Sequence, residues 1–404
     1  MGSEVVFESI QNGQGVVFLD SIRQNGEDNQ SYLFDAPEKI LEINLADDVV
    51  RFFSEIEASL SKGYYVAGWF SYELGYLFHE PLKYLLERRK PCIPLAWAGI
   101  YRRPKIIQAG TLIFDPAIAS TDFLPQGPKI KLDVSRGEFK KAIQKIHEHI
   151  KRGETYQVNY TIRGLFDFKG KGIDLYAQLR NSQRVHYGAF LRAGALEILC
   201  LSPELFFKKR GEKIWSKPMK GTISRGSDSA KDRELEKFLR EDEKNRAENV
   251  MIVDLIRNDL GMICREGTVK VPELFTIERY ETLFQMISRV EGRIKEPFSW
   301  LNCFKALFPC GSITGAPKMK TMEIIASLET SPRGIYTGAI GFITPNGDAC
   351  FNVAIRTIML RDGIGVLGIG SGITIYSDPD SEYEETLLKA QFLGPECILE
   401  KGTV

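Results

Sequence analysis

Residues 338–369 read GAIGFITPNGDACFNVAIRTIMLRDGIGVLGI. Apolar runs at 338–344 and 349–360 flank Pro345-Asn346-Gly347-Asp348, a cluster whose residue types close a hairpin. A second turn, Arg361-Asp362-Gly363, leads to a further run at 364–369, so the pattern predicts an antiparallel meander. Outward from it, helix signals lie at 316–328, with Pro317 near the first turn, and from Asp378-Pro379 to about 393. Upstream, 229–260 reads as one long helix, charged at first and then apolar through Met251, Ile252, Leu255 and Ile256. Residues 196–201 and 204–208 read as a hairpin arm, and 155–161 as a strand. Ser135 and Glu138 make a capping box for a helix at 136–152, with Phe139, Ile143, Ile146 and Ile150 on one face and Gly153 as its stop. Strands and helices follow one another without a βαβ rhythm, which argues for an α+β class.

Residues 1–125 read as a strand-rich N-terminal part, with strands at 15–20, 64–70, 95–101 and 111–115 and one helix near 46–62. The polar, Pro- and Gly-containing segment 116–130 is the best internal boundary, ahead of a region spanning 130–398. No internal repeat or low-complexity tract interrupts the chain.

The 404 residues, 43% hydrophobic, suffice for a large core. Lys plus Arg and Asp plus Glu balance at 53 each. No net field therefore draws the chain to nucleic acid or to an anionic membrane, and a small-molecule substrate suits it better. The seven cysteines form no C-x-x-C pair, which argues against structural zinc and a disulfide framework. Four histidines leave little for a His-based centre. The start MGSEVVFESIQNGQG has no signal-peptide pattern, and no apolar run reaches membrane-spanning length. A cytoplasmic location is expected.

Four segments carry polar residues that a core pattern does not require. In SPELF (202–206), burial would raise the pKa of Glu204 and make it a general acid; a water-facing glutamate at a sheet edge is the simpler account. In KPMKGTISRG (217–226), Lys220 precedes Gly221 and Thr222; held in a pocket it could lose its proton and act as a nucleophile, although most lysines are merely solvated. Glu248 lies on one helix, and Glu382, Glu385 and Lys389 share a face of another. Carboxylates from two helices would suit Mg²⁺, and an exposed face with an ordinary Glu385–Lys389 pair accounts for them equally well. In CGSITGAPK (310–318), glycines ahead of a helix start offer N–H groups to an anion. The P-loop spacing is not met, which leaves a carboxylate as the expected ligand.

These segments together resemble the chorismate-utilising enzymes: anthranilate, aminodeoxychorismate, isochorismate and salicylate synthases. The resemblance covers roughly 130–398 in nine ordered motifs: YQVN (156–159), SPELF (202–206), KPMKGT (217–222), AENVMIVDLIRND (247–259), GSITGAPK (311–318), IYTGAIGF (335–342), NVAIRT (352–357), GIGSGIT (368–374) and SDPDSEYEET (377–386). It implies two antiparallel β-sheets packed face to face and flanked by helices, with the N-terminal and catalytic regions intertwined in one unit. It implies Mg²⁺ as cofactor, held by Glu248 and Glu385 with Glu382 in support. Glu204 would protonate the departing C4 hydroxyl of chorismate. Tyr336, Arg356, Lys389, Thr314, Gly370 and Gly372, with Gln157 and Thr222, would contact the substrate.

Two positions sort the family. Isochorismate and salicylate synthases resemble one another in a water-activating lysine where this chain has Gln157, so ammonia is the expected nucleophile here. Anthranilate synthases resemble P-I-A-G-T at 218–222 and aminodeoxychorismate synthases P-I-K-G-T; this chain has P-M-K-G-T with Lys220. The aminodeoxychorismate branch is therefore implied, with Lys220 attacking C2 before ammonia attacks C4. Gln285 departs from a common histidine, and Asn245 from an acidic residue. No tryptophan-binding L-L-E-S motif and no glutaminase signature occur, so a separate glutamine amidotransferase subunit is the expected ammonia source. Anthranilate synthase component I and a catalytically silent chorismate-binding subunit remain as alternatives.

Overall fold

The computed structural model describes residues 3–22, 29–45, 48–112, 128–280, 283–394 and 398–401. Among them, strands form one sheet of eleven and one of ten. The first sheet runs, edge to edge, through Ile398–Lys401, Lys129–Leu132, Gln157–Asp167, Ile364–Ile373, Thr357–Arg361, Leu196–Ser202, Tyr187–Ala193, Val16–Asp20, Gln30–Phe34 and Lys105–Gln108, with Gly315–Ala316 added on Gln157–Asp167. The second runs through Met219–Ser224, Leu283–Arg293, Lys213–Lys217, Leu205–Arg210, Ala349–Val353, Ala339–Ile343, Tyr65–Phe70, Ala96–Tyr101 and Lys39–Ile43, with Lys270–Arg279 on Leu283–Arg293. Pairing is antiparallel except between Ile398–Lys401 and Lys129–Leu132.

Alternation along the strands sorts side chains into two cores. Val17, Phe34, Leu191 and Ile198 of the first sheet meet Ala67, Trp69, Trp97 and Ile340 of the second in a shared cluster. Trp69 and Trp97 stack there with ring centroids 5.0 Å apart. The neighbouring residues Phe18 and Phe70 face outward into a second cluster with the helices. Phe53 of helix Val49–Ser61 and Phe304 of helix Trp300–Leu307 pack on Phe70. On the other sheet, helix Pro379–Ala390 lies on Ile364–Ile373 and against helix Arg136–Lys151. The capping box at Ser135 and Glu138 forms as expected.

Three expectations are corrected. The run 349–360 is two strands: Ala349–Val353 belongs to the second sheet and Thr357–Arg361 to the first. The chain changes sheets through 354–356, where Arg356 takes φ 49°; apolar residues continue on both sides, so periodicity alone does not mark the break. Likewise Leu196–Ser202 and Leu205–Arg210 do not pair with each other. Pro203 lies between them, and lacking an N–H it cannot extend a ladder. The segment 229–260 divides into helices Ser229–Glu241 and Glu243–Ile263, because the Asp242 carboxylate accepts from Asn245 N (2.8 Å) and caps the second.

The two sheet-changing segments lie side by side. Leu205 pairs with Asn352 and Cys200 with Thr357, while Val353 N donates to Glu204 O (3.0 Å) and Leu201 N to Arg356 O (3.0 Å). This juxtaposition brings Glu204 and Arg356 to one end of the sandwich. In the N-terminal part, strands Gln30–Phe34, Lys39–Ile43 and Lys105–Gln108 and helices Ser3–Asn12, Leu74–Phe78 and Tyr84–Arg88 add to the expected elements. Of the strand expected at 111–115, residues 111 and 112 are not in a strand and 113–115 lie outside the described residues, as does most of the expected boundary.

Candidate active site

Glu204 is 4% exposed and accepts a hydrogen bond from Ser312 Oγ (2.6 Å). Burial pushes its carboxyl up to about 7, against the pull of Ser312 and the Lys220 ammonium. The water-facing alternative is thereby excluded.

Lys220 belongs to strand Met219–Ser224, where the register against Leu283–Arg293 slips between Met219 and Thr222. Its amine is held below the usual lysine range by desolvation, and Glu248 and Glu204 restrain that fall. A Cβ placed on Gly372 would stand 3.2 Å from Lys220 Nζ and 2.5 Å from Gln157 Nε2, so glycine keeps this point open. Gln157 is fully buried, and neither atom of its carboxamide has a hydrogen-bond partner.

Glu248 on helix Glu243–Ile263 faces the last helix. Its carboxyl is raised by burial, opposed by Lys220 and Lys244, and pushed further by Glu382 and Glu385. For Glu385, burial acts upward but Lys389, Lys244 and Lys220 outweigh it and leave it low. Lys389 Nζ lies 2.8 Å from Glu385 Oε1 and donates to Gly370 O (3.1 Å). Glu382 is buried, with Ser377 Oγ donating to Oε1 (2.7 Å) and Ser371 Oγ to Oε2.

Among the described residues no group of three or more His, Cys, Asp or Glu side chains forms a cation cage. Mg²⁺ needs no such cage, since it takes one or two carboxylates and fills its shell with water and substrate oxygens. Glu248 and Glu385 are of the right type, and the push of like charges on Glu248 is what a bound cation would relieve. The donor set fits the ion. Glu382, with both oxygens taken by serines, fits a supporting place better than a direct ligand.

Tyr336 is buried, its phenol raised by burial, with the Gly370 N–H directed at its oxygen. Arg356 is lowered by burial, donates to Gln183 Oε1 (3.0 Å), and has no carboxylate in ion-pair range among the described residues. A desolvated guanidinium without an acidic partner is suited to an anionic ligand. Thr314 is buried, but its hydroxyl donates to Cys310 O (2.9 Å). Thr222 stands apart: it is exposed and its hydroxyl donates to Gln285 Oε1 (3.0 Å).

Reading the sequence missed three residues. Ser312 inside GSITGAPK holds Glu204. Arg333 and Glu329 form a buried ion pair behind the site (2.6 Å). Arg333 also donates to Ile313 O (3.0 Å), Thr337 Oγ1 (3.2 Å) and Asn159 O, joining three of the motif segments. Its place just ahead of IYTGAIGF was the available signal.

A family model described as chorismate binding enzyme matches residues 14–395. The chain belongs to this family. Aminodeoxychorismate synthase component 1 of Bacillus subtilis (strain 168) is 39% identical over 276 residues, 68% of this chain and 59% of that protein. Anthranilate synthase component 1 of Streptomyces coelicolor is 38% identical over 260 residues, 64% of this chain and 51% of that protein. The chain thus spans between half and two thirds of the length of these two relatives. The crystal structure of anthranilate synthase component I from Streptococcus pneumoniae superposes with a TM-score of 0.78 at 22% identity, covering 92% of this chain and 93% of that one. The two face-to-face sheets expected from the family are thus the fold observed. No helix among the described residues is long and apolar enough to cross a membrane.

Proposed function

We propose that this chorismate-binding enzyme aminates chorismate at C4, giving 4-amino-4-deoxychorismate with the enolpyruvyl group retained. One observation carries the reading: Lys220, its amine depressed by desolvation and within electrostatic reach of Glu248 and Glu204, stands where the anthranilate-forming pattern has alanine. A neutral amine there is a nucleophile.

In the first step the Lys220 amine bonds to C2. The ring double bonds shift toward C4, and the C4 hydroxyl departs with the Glu204 proton as water. Ammonia then bonds to C4, the double bonds shift back, and the C2–N bond breaks. The proton lost by ammonia returns to the Glu204 carboxylate while Lys220 leaves as the neutral amine, so both groups regain their starting forms and the sum is chorismate plus ammonia giving product plus water. Arg356 and Tyr336 would hold the substrate's carboxylate and ether groups, and Gln157, which cannot act as a base, would leave water unactivated. Glu248 and Glu385 would hold Mg²⁺, with Glu382 behind them. The ion would supply positive charge for the ring carboxylate and for charge developing at the leaving group. Ammonia would come from a separate glutamine amidotransferase subunit. Cys92, Cys200, Cys264, Cys303 and Cys310 carry free thiols, which supports a cytoplasmic setting.

The chain incubated with chorismate, Mg²⁺ and ammonium should yield a product that an aminodeoxychorismate lyase converts to p-aminobenzoate. Fluorescent anthranilate in its place would overturn the reading. Glutamine alone should give nothing until a glutaminase partner is added.

Glu204 must carry its proton to act, and its acid form declines as pH rises through about 7. The pH profile of kcat/KM should therefore fall about tenfold per unit above that point, and Glu204→Gln should remove this limb along with most of the rate. An unchanged alkaline limb in the variant would take the acid role from Glu204. Glu248→Gln should raise the Mg²⁺ concentration for half-maximal activity by at least about 10-fold, since losing even a residue that only orients a metal ligand costs about 10–100-fold in affinity. An unaltered Mg²⁺ titration would exclude Glu248 as a ligand.

A further inference from the structure

The bulge that carries Lys220 is fastened from outside the site. Between the pairs Met219–Ile287 and Thr222–Gln285, the lysine strand has one residue more than its partner. A bulge of this kind leaves a residue unpaired and re-aims its side chain. Gly221 occupies it with φ 90°, a backbone conformation natural to glycine.

Gln285 binds both ends of this bulge. Its Nε2 donates to Gly221 O (3.0 Å), and its Oε1 accepts from Thr222 Oγ1 (3.0 Å). Gly221 O can only accept, which fixes the orientation of the carboxamide. A carboxylate would repel that carbonyl, and an apolar side chain would hold neither partner. On the other side of Gly221 sits Asn245. A Cβ at Gly221 would come within 3.0 Å of Asn245 Oδ1, and Asn245 is itself fixed by Nδ2 donating to Asp242 Oδ2 (2.8 Å). The two departures from the family pattern, Gln285 and Asn245, therefore meet at the residue after Lys220.

We propose that Gln285 is a positioning residue for Lys220, its carboxamide fixing the Gly221–Thr222 bulge and so the direction in which the amine meets Gln157 and Gly372. Asn245 is the backstop against which the bulge is held. The inference rests on the amination reading for its kinetic consequences but not for its geometry. It explains why Thr222, expected at the substrate, instead faces solvent: its hydroxyl belongs to the fastening.

The test uses the full chain with Gln285→Leu, which removes both bonds, and with Thr222→Val, which removes one at an exposed position. With ammonium as donor, Gln285→Leu should lower kcat by about 10–100-fold, the range for a misplaced reacting group, with KM for chorismate within about twofold of the parent. Thr222→Val should lower kcat several-fold in the same direction. In a Lys220→Ala background Gln285→Leu should change nothing further, because a residue acting through the lysine has no lysine left to place. A crystal structure of Gln285→Leu should show Lys220 Nζ moved away from Gln157. Parent-like kcat in both variants, a loss that adds fully to that of Lys220→Ala, or an unmoved Lys220 would overturn the inference. If Gln285→Leu does not fold, Thr222→Val decides by the same readouts. Should the parent chain not aminate chorismate, the proposed function falls while the position of Lys220 in the variant structure still decides this inference.

Discussion

Lys220→Ala is expected to fold normally and to lose at least about a thousandfold in kcat with ammonium as donor, the scale of loss when a covalent nucleophile is removed. Folding should survive because the lysine gives no stability that its removal forfeits. Desolvation holds its amine below the usual lysine range, so keeping it charged in this place is a cost to the folded chain. Lys220→Arg separates nucleophilicity from charge. A guanidinium keeps the positive charge beside Glu204 and Glu248 but does not lose its proton near neutrality, so it should be as inactive as alanine. If arginine restored a large part of the rate, Lys220 would be an electrostatic group and covalent attack at C2 would be abandoned. Alanine has a second consequence. The Lys220 charge pulls the Glu204 carboxyl down, so any residual activity should carry its alkaline limb to higher pH.

The local signals of this chain were legible because they act over a few residues. The capping box at Ser135 and Glu138, the hairpin around 345–348 and the proline-led start of the last helix each need only their own sequence. The candidate acid Glu204 and the candidate nucleophile Lys220 came from motifs, and their protonation behaviour came from burial, which only the fold supplies. The sheet changes at 202–204 and 354–356 were hidden for a different reason. Strand partners such as Val16–Asp20 with Tyr187–Ala193 are set by long-range pairing, and apolar alternation reads the same in either sheet. Thr222 was expected at the substrate only from the resemblance, and the bulge beside it instead leaves its hydroxyl bonded to Gln285. The contacts of Ser312, Gln285 and Arg333 join segments far apart in sequence, and no spacing rule reaches them.

Arg333→Met is expected to cost about 3–5 kcal/mol in unfolding free energy, the usual penalty for stranding one partner of a buried ion pair. Both side chains are almost fully inaccessible. Glu329 would keep a hydrogen bond from Thr161 N (3.0 Å) but lose its counter-charge. The arginine also stacks over the ring of Tyr72 (4.5 Å) and satisfies the carbonyls of Ile313 and Asn159, so its loss reaches past the ion pair. Removing the stranded charge as well, in Glu329→Gln with Arg333→Met, should therefore recover only part of the stability, because each buried carbonyl left without a donor costs about 1–3 kcal/mol. Denaturant unfolding of the two single variants and the double variant closes this cycle. Full recovery in the double variant would reduce Arg333 to a counter-ion for Glu329. Partial recovery, accompanied by a raised KM for chorismate in the double variant, would identify the guanidinium as the tie that aligns the strand of Gln157, the segment of Thr314 and the turn of Tyr336. Loss of alignment acts on substrate contacts from three segments at once, whereas loss of charge alone acts on stability.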